Sequence, residues 1–240
     1  YFFIGVINTP IVFELYKLCV SKLLVMNYLI LFLVIVLNAV TGCAQSTSQK
    51  KETSIAKHVG GPCEGCEAIH ESPVPFDQLN DVDTLPDFGD EGPKLEVSGI
   101  VYERDGKTPA EGVVLYVYHT NQEGIYPKRG NETGWGERHG YIRGWVKTNE
   151  RGEYKFYTLR PGAYPGRNNP EHIHITVKEP GMNEYFIDDY HFADDTILQK
   201  TGNNFGNRGG NGILKVTTNN GRQLANRDII LGLNIPGYPG

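Results

Sequence analysis

The sequence predicts an all-β fold, a two-sheet β-sandwich with long functional loops, and three observations carry that expectation. From Lys94 onward, short runs of β-branched and aromatic residues recur between turn signals such as Asp105-Gly106 and "NERG". In "GVVLYVYHT", Val113, Leu115 and Val117 alternate with Val114, Tyr116 and Tyr118, so both faces of that strand are expected to be covered. No segment of convincing length after residue 70 carries a helical period.

The elements follow in order. "KLEVSGIVYERDGKTP" reads as a strand pair broken by Gly99 and closed by the Asp105-Gly106 turn, and "GVVLYVYHT" comes next. Asn121 to Gly140 is a long irregular connection rich in glycine and charge; loops of that length in compact domains are usually functional. "YIRGWVKT" and "EYKFYTL" flank the "NERG" turn and lead into "RPGAYPG". Strands resume with "HIHITVK" and "EYFIDDYHF", then after a Gly/Asn-rich loop with "GILKVTT" and "RDIILGLNI", giving about eight short strands in all.

The chain has 240 residues and a net charge of -5, which leaves no basic surplus for nucleic acid. Leu23 to Val40 holds no Asp, Glu, Lys or Arg and is followed at once by Thr41-Gly42-Cys43. Residues 1–43 therefore read as an export signal, with Met26 a plausible start and Tyr1 to Val25 upstream sequence. "VTGC" resembles the lipobox of bacterial lipoproteins, which implies acylation of Cys43, attachment to a membrane through that lipid, and a place in the bacterial cell envelope. The competing reading of the run is a single transmembrane anchor.

Residues 44–60 are polar and read as a flexible tether, 61–93 as a loop-rich extension, and 94–240 as the sandwich. Cys63 and Cys66 in the extension form "CEGC", a spacing compatible with a local disulfide, zinc or redox chemistry. In an exported chain the disulfide is the leading expectation.

His172 and His174 in "NPEHIHI" lie two apart on an expected strand, so their Cβ atoms share a face about 6 to 7 Å apart and their imidazoles can converge on one metal ion. Tyr126, closing "HTNQEGIY", and Tyr164, in "LRPGAYP", supply two phenols. Two phenolates with two imidazoles form a hard, anionic set suited to iron(III) rather than to structural zinc.

These segments resemble the intradiol ring-cleavage dioxygenases, the catechol 1,2-dioxygenase and protocatechuate 3,4-dioxygenase family, from about Lys94 to Asp195. "YHTNQEGIY" matches that family's first ligand-tyrosine segment, "TNERGEYKFYTLRPGAYP" its second, and "PEHIH" its histidine pair. The resemblance implies a non-haem Fe(III) with Tyr164 and His174 axial, Tyr126 and His172 equatorial, and a hydroxide as fifth ligand. It implies a small aromatic diol and O2 as substrates and a cis,cis-muconate-type diacid as product.

The chain departs from the family at two positions. Asn169 stands three residues before the first ligand histidine, where the family has arginine, and Arg167 is the candidate replacement in the catalytic set with Tyr164. Asp188 or Asp189 stands where the family has glutamine, either as support for a ligand or as a charge repelling an anionic substrate, which favours a neutral catechol over protocatechuate. Tyr118, Trp135, His139, Arg143 and Trp145 are candidates for the pocket wall.

The strand pattern also resembles transthyretin-like and carboxypeptidase-regulatory-like modules, which implies a lipid-anchored binding sandwich as the alternative. A catechol or siderophore binder without turnover is a third reading. The sequence leaves the oligomeric state open.

Overall fold

The computed structural model describes residues 59 to 202 and 204 to 240. The expected signal segment 1–43 with Cys43, and the tether as far as His58, lie outside the described residues.

The described chain is a sandwich of two six-stranded sheets. The first holds β1 (Val82–Thr84), β2 (Lys94–Tyr102), β5 (Glu153–Leu159), β10 (Thr217–Asn219), β11 (Arg222–Asn226) and β12 (Ile229–Ile230). Its order is β1-β5-β2-β11-β10, with β12 also pairing β2. The second holds β3 (Val114–Tyr118), β4 (Arg143–Lys147), β6 (His172–Lys178), β7 (Tyr185–Phe186), β8 (Tyr190–Phe192) and β9 (Ile213–Leu214). Its order is β4-β3-β6-β8-β9, with β7 pairing β6.

Among the described residues twelve strands replace the eight expected: most of the additional ones span only two or three residues, too few to display a period of two, and the five-residue β11 (Arg222–Asn226) is mostly polar. β2 is continuous through Gly99 rather than broken there. A Cβ on Gly99 would lie 1.8 Å from the Arg227 carbonyl oxygen, so glycine is needed where the neighbouring backbone comes close. Among the described residues two short α-helices also form, α1 (Gly136–His139) inside the long connection and α2 (Thr196–Thr201), capped by Asp195, whose side chain accepts from Leu198 N at 2.7 Å.

The main core lies between the sheets and is built from alternate residues of facing strands: Leu95 and Val97 of β2, Phe156 of β5, Leu115 and Val117 of β3, Ile173 and Ile175 of β6. Each is at most 2% exposed, so the period-2 pattern has done its work on these strands. The other face of β3 is covered as well. Val114 and Tyr116 pack with Trp145 against Ala68 and Ile69 from the 3-10 turn Cys66–Glu71 of the extension. Burial on this second face is what anchors residues 63 to 71 beside the end of β6.

Candidate metal centre

β6 is the central strand of its sheet here, paired with β3 on one side and with β7 and β8 on the other. Its odd-numbered residues Ile173, Ile175 and Val177 enter the core, which turns His172 and His174 to the opposite face. Their Nε2 atoms lie 3.2 Å apart.

Each histidine has its second ring nitrogen engaged. His172 Nδ1 lies 2.7 Å from the Pro170 carbonyl oxygen, which can only accept, so Nδ1 carries the proton. His174 Nδ1 lies 3.1 Å from Asp189 Oδ2, with the same consequence. Both Nε2 lone pairs are thereby left free to point at one locus.

The two tyrosines reach that locus from loops joined to each other through their backbones. The Asn121 side chain accepts from Glu123 N at 3.2 Å and Ile125 N at 3.1 Å, folding the segment before Tyr126 into a tight turn. Gly162 N donates to Asn121 O at 2.8 Å and Thr120 Oγ1 donates to Gly162 O at 2.7 Å, tying the Tyr126 loop to the Tyr164 loop. Gly124 has φ 75° and a Cβ there would stand 1.9 Å from the Ala163 carbonyl oxygen. Only glycine permits both the turn and the approach.

The four expected ligand atoms come together. Tyr126 Oη and Tyr164 Oη are hydrogen-bonded to each other. His174 Nε2 lies 2.9 Å from Tyr126 Oη and 3.2 Å from Tyr164 Oη, and His172 Nε2 lies 3.3 Å from Tyr164 Oη. Burial raises the pKa of both phenols, with the neighbouring tyrosine adding to the effect at Tyr126 and opposing it at Tyr164. Burial, reinforced by the neighbouring His174 ring, pushes His172 down to about 4. Without a cation these three groups are therefore neutral: two protonated phenols and the His172 imidazole.

A neutral imidazole is the metal-binding form, and a trivalent ion at this locus would supply the field that ionises the phenols. The convergence of two phenol oxygens and two free Nε2 atoms fits a ferric ion. His172, His174 and Asp189 also offer ligand atoms within 4.8 Å of one another. Asp189, however, sits at the Nδ1 side of His174, away from the phenols, so it supports a ligand rather than completing the four. Burial pushes its carboxyl up, but the His174 and His172 imidazoles outweigh that and hold it below its ordinary range.

Of the other expected site residues, Asn169 lines a cavity of about 370 Å³ with Tyr164, His172, His174 and Asp189. Arg167 is exposed, with its guanidinium carbon 5.9 Å from the centroid of the Tyr164 ring. Tyr118 is the cross-strand neighbour of His174 and stacks on it with ring centroids 4.6 Å apart. His139 stacks on the far face of this aromatic layer at 3.7 Å from Tyr118, and Trp135 on His139 at 5.2 Å.

Arg143 and Trp145, expected as pocket candidates, line none of the cavities at the ligand atoms. Arg143 Nη1 donates to Glu71 Oε2 at 2.6 Å and the Trp145 indole packs on Tyr116 at 4.8 Å, so both belong to the second core. Cys63 and Cys66 are joined in a disulfide. Sequence reasoning missed Glu64, Arg138, His191 and Phe205 at the cavity walls, since no motif marks loop residues that meet only in the folded chain.

A protein-family model described as Dioxygenase matches residues 69–205, a span containing all four ligand candidates. The chain is 26% identical over 113 residues to the protocatechuate 3,4-dioxygenase beta chain of Burkholderia cepacia, covering 45% of this chain and 48% of that one. It is 35% identical over 117 residues to catechol 1,2-dioxygenase 1 of Acinetobacter lwoffii, covering 42% and 36%. The chain thus spans about half or less of the length of these curated relatives. The solved dioxygenase domain of a dioxygenase carbohydrate-binding protein fusion from Streptomyces sp. SirexAA-E shares the fold, with a TM-score of 0.50 at 23% identity over 67% of this chain and 94% of that one.

Proposed function

This chain belongs to the intradiol dioxygenase family, and we propose that it is a non-haem iron(III) enzyme cleaving a catechol-type ring between its two hydroxylated carbons with O2, giving a cis,cis-muconate-type diacid. The observation that supports this most is the meeting of Tyr126 Oη, Tyr164 Oη, His172 Nε2 and His174 Nε2 at one locus. These four residues would hold the iron. When bound, iron(III) supplies the Lewis acidity that ionises phenols and makes a chelated diol reactive toward dioxygen.

The chain's own groups do the rest. Tyr164 lines cavities on two sides of the locus, so as a phenolate it would be the base placed to take a proton from an entering diol. Tyr118 holds the His174 ring by stacking, and Asp189 fixes its tautomer. The Cys63–Cys66 disulfide supports an oxidising setting, in keeping with export and with lipid attachment at Cys43.

A visible spectrum of the purified, iron-supplied chain tests this reading. A red tyrosinate-to-iron charge-transfer band, lost in Tyr126→Phe and Tyr164→Phe, is the expected result; a colourless, iron-free protein would overturn it. Oxygen uptake with catechol then separates turnover from binding alone, a distinction that matters because Asn169 carries no charge and Arg167 faces solvent.

A further inference from the structure

Residues 160 to 171 form one loop between β5 and β6, with Tyr164 inside it and His172 immediately after it. Backbone hydrogen bonds to other segments hold its first residues: Arg160 N donates to Pro93 O at 2.9 Å, and Gly162 is tied to Thr120 and Asn121. Pro165 to Asn169, beyond the tyrosine, are exposed. The loop is closed at its far end by a side chain.

Arg160 opens the loop and Glu171 ends it. Arg160 Nε donates to Glu171 Oε2 at 2.6 Å, while Nη1 and Nη2 donate to Asp194 Oδ2 and Oδ1 at 3.0 and 2.9 Å, in the turn between β8 and α2. The planar fork presents one edge to each carboxylate, a geometry that lysine cannot copy. Its guanidinium carbon lies 4.4 Å from the centroid of Phe192, a fully buried ring. With side chains 12% and 27% exposed, the Arg160–Glu171 pair is screened far less than a surface pair such as Arg151–Glu153, at 67% and 41%.

The same residue reaches the other ligand segments. Gln122 Nε2, four residues before Tyr126, donates to Arg160 O at 3.3 Å. Glu171 N donates to Asp195 Oδ2 at 3.1 Å, so the loop's end is also fixed to the cap of α2. Tyr164 Oη stands 3.3 Å from His172 Nε2, a separation that depends on how the two ends of the loop are held. We propose that Arg160 is a positioning residue for the metal centre: by joining Glu171 to Asp194 it closes the loop and sets Tyr164 Oη against His172 Nε2. Closure in the metal-free chain removes freedom that metal binding would otherwise have to remove. This assignment rests on the iron site inferred above.

The test is a double-mutant cycle on iron affinity, measured by chelator competition on the full chain, with the visible band and melting temperature recorded alongside. Arg160→Gln is expected to lower iron affinity about tenfold and to shift the band, with Arg160→Lys recovering part of the loss. In a Tyr164→Phe background the same change should lower affinity no more than about threefold, because the group it positions is gone. Asp194→Asn, at a side chain 59% exposed, weakens the clamp with less demand on the fold and should move affinity in the same direction. Equal losses in both backgrounds, or wild-type affinity in Arg160→Gln and Asp194→Asn alike, would overturn the assignment. A wild-type chain that binds no iron overturns the ring-cleavage reading instead. Hydrogen exchange of the metal-free chain then decides the clamp: faster exchange at residues 161–169 in Arg160→Gln is expected, and unchanged exchange overturns it.

Discussion

His174 Nδ1 lies 3.1 Å from Asp189 Oδ2 while its Nε2 faces Tyr126 Oη at 2.9 Å, so one imidazole links a carboxylate to the phenol cluster. The family resemblance expects glutamine at Asp188 or Asp189, and the second of these, Asp189, places a negative charge behind a ligand. It thereby strengthens the ligand's basicity instead of confronting the substrate.

Replacing that charge should therefore weaken the metal site without dismantling it. Asp189→Asn is expected to lower iron affinity on the order of 10- to 100-fold, measured by competition with a chelator. Because ligand basicity governs the charge-transfer energy, the visible band should also move. An unchanged affinity and band would show that the carboxylate is only a surface partner.

Gly124→Ala tests the joint between the two tyrosine loops. The substitution adds a Cβ 1.9 Å from the Ala163 carbonyl oxygen at a position with φ 75°. The strain should cost on the order of 1–3 kcal/mol and separate Tyr126 from Tyr164. Lower thermal stability together with reduced iron content is expected; loss of stability alone would mean that the loops shift as a unit.

That joint also explains what the sequence made legible. Asn121, Gly124 and Gly162 act within a few residues of the tyrosines they position, and His172 and His174 are set by the period of a single strand. Such local devices leave a readable pattern. Arg138 and Glu64 meet across 74 residues of chain, so nothing near either one announces the other. Arg143 and Trp145 looked like pocket residues because the covering turn Cys66–Glu71, which claims their face of β4, carries no strand or helix period of its own.

Acid should unfold the metal-free chain. Burial pushes both His172 and His139 down to about 4, so the unfolded chain takes up protons that the folded one refuses. The stabilising effect is complete above the ordinary imidazole value of 6.5 and is lost as pH falls from there toward about 4. For His172 it amounts to at most about 3 kcal/mol. Melting temperatures of the metal-free protein between pH 7 and 4 should fall across this window, and less steeply in His139→Gln; a flat profile would mean that neither ring is desolvated in solution.

Reduction of the Cys63–Cys66 bond should act on stability and on the site together. The ring it closes is short, and loop-closure entropy for so few residues is worth about 2 kcal/mol. Half of the bridge is buried: Cys66 is 3% exposed, and it begins the turn whose Ala68 and Ile69 cover β3. Cys63→Ser with Cys66→Ser is therefore expected to lower the melting temperature by several degrees. Packing of Ile69 and the ion pair of Glu71 with Arg143 hold the turn from its other end, so the fold should survive. What changes is the segment around Glu64, which loses its fixed path past Tyr118 and His174. If that segment sets the wall of the substrate cavity, the double variant will bind catechol more weakly at full iron content. Unaltered binding would confine the disulfide to a stabilising role.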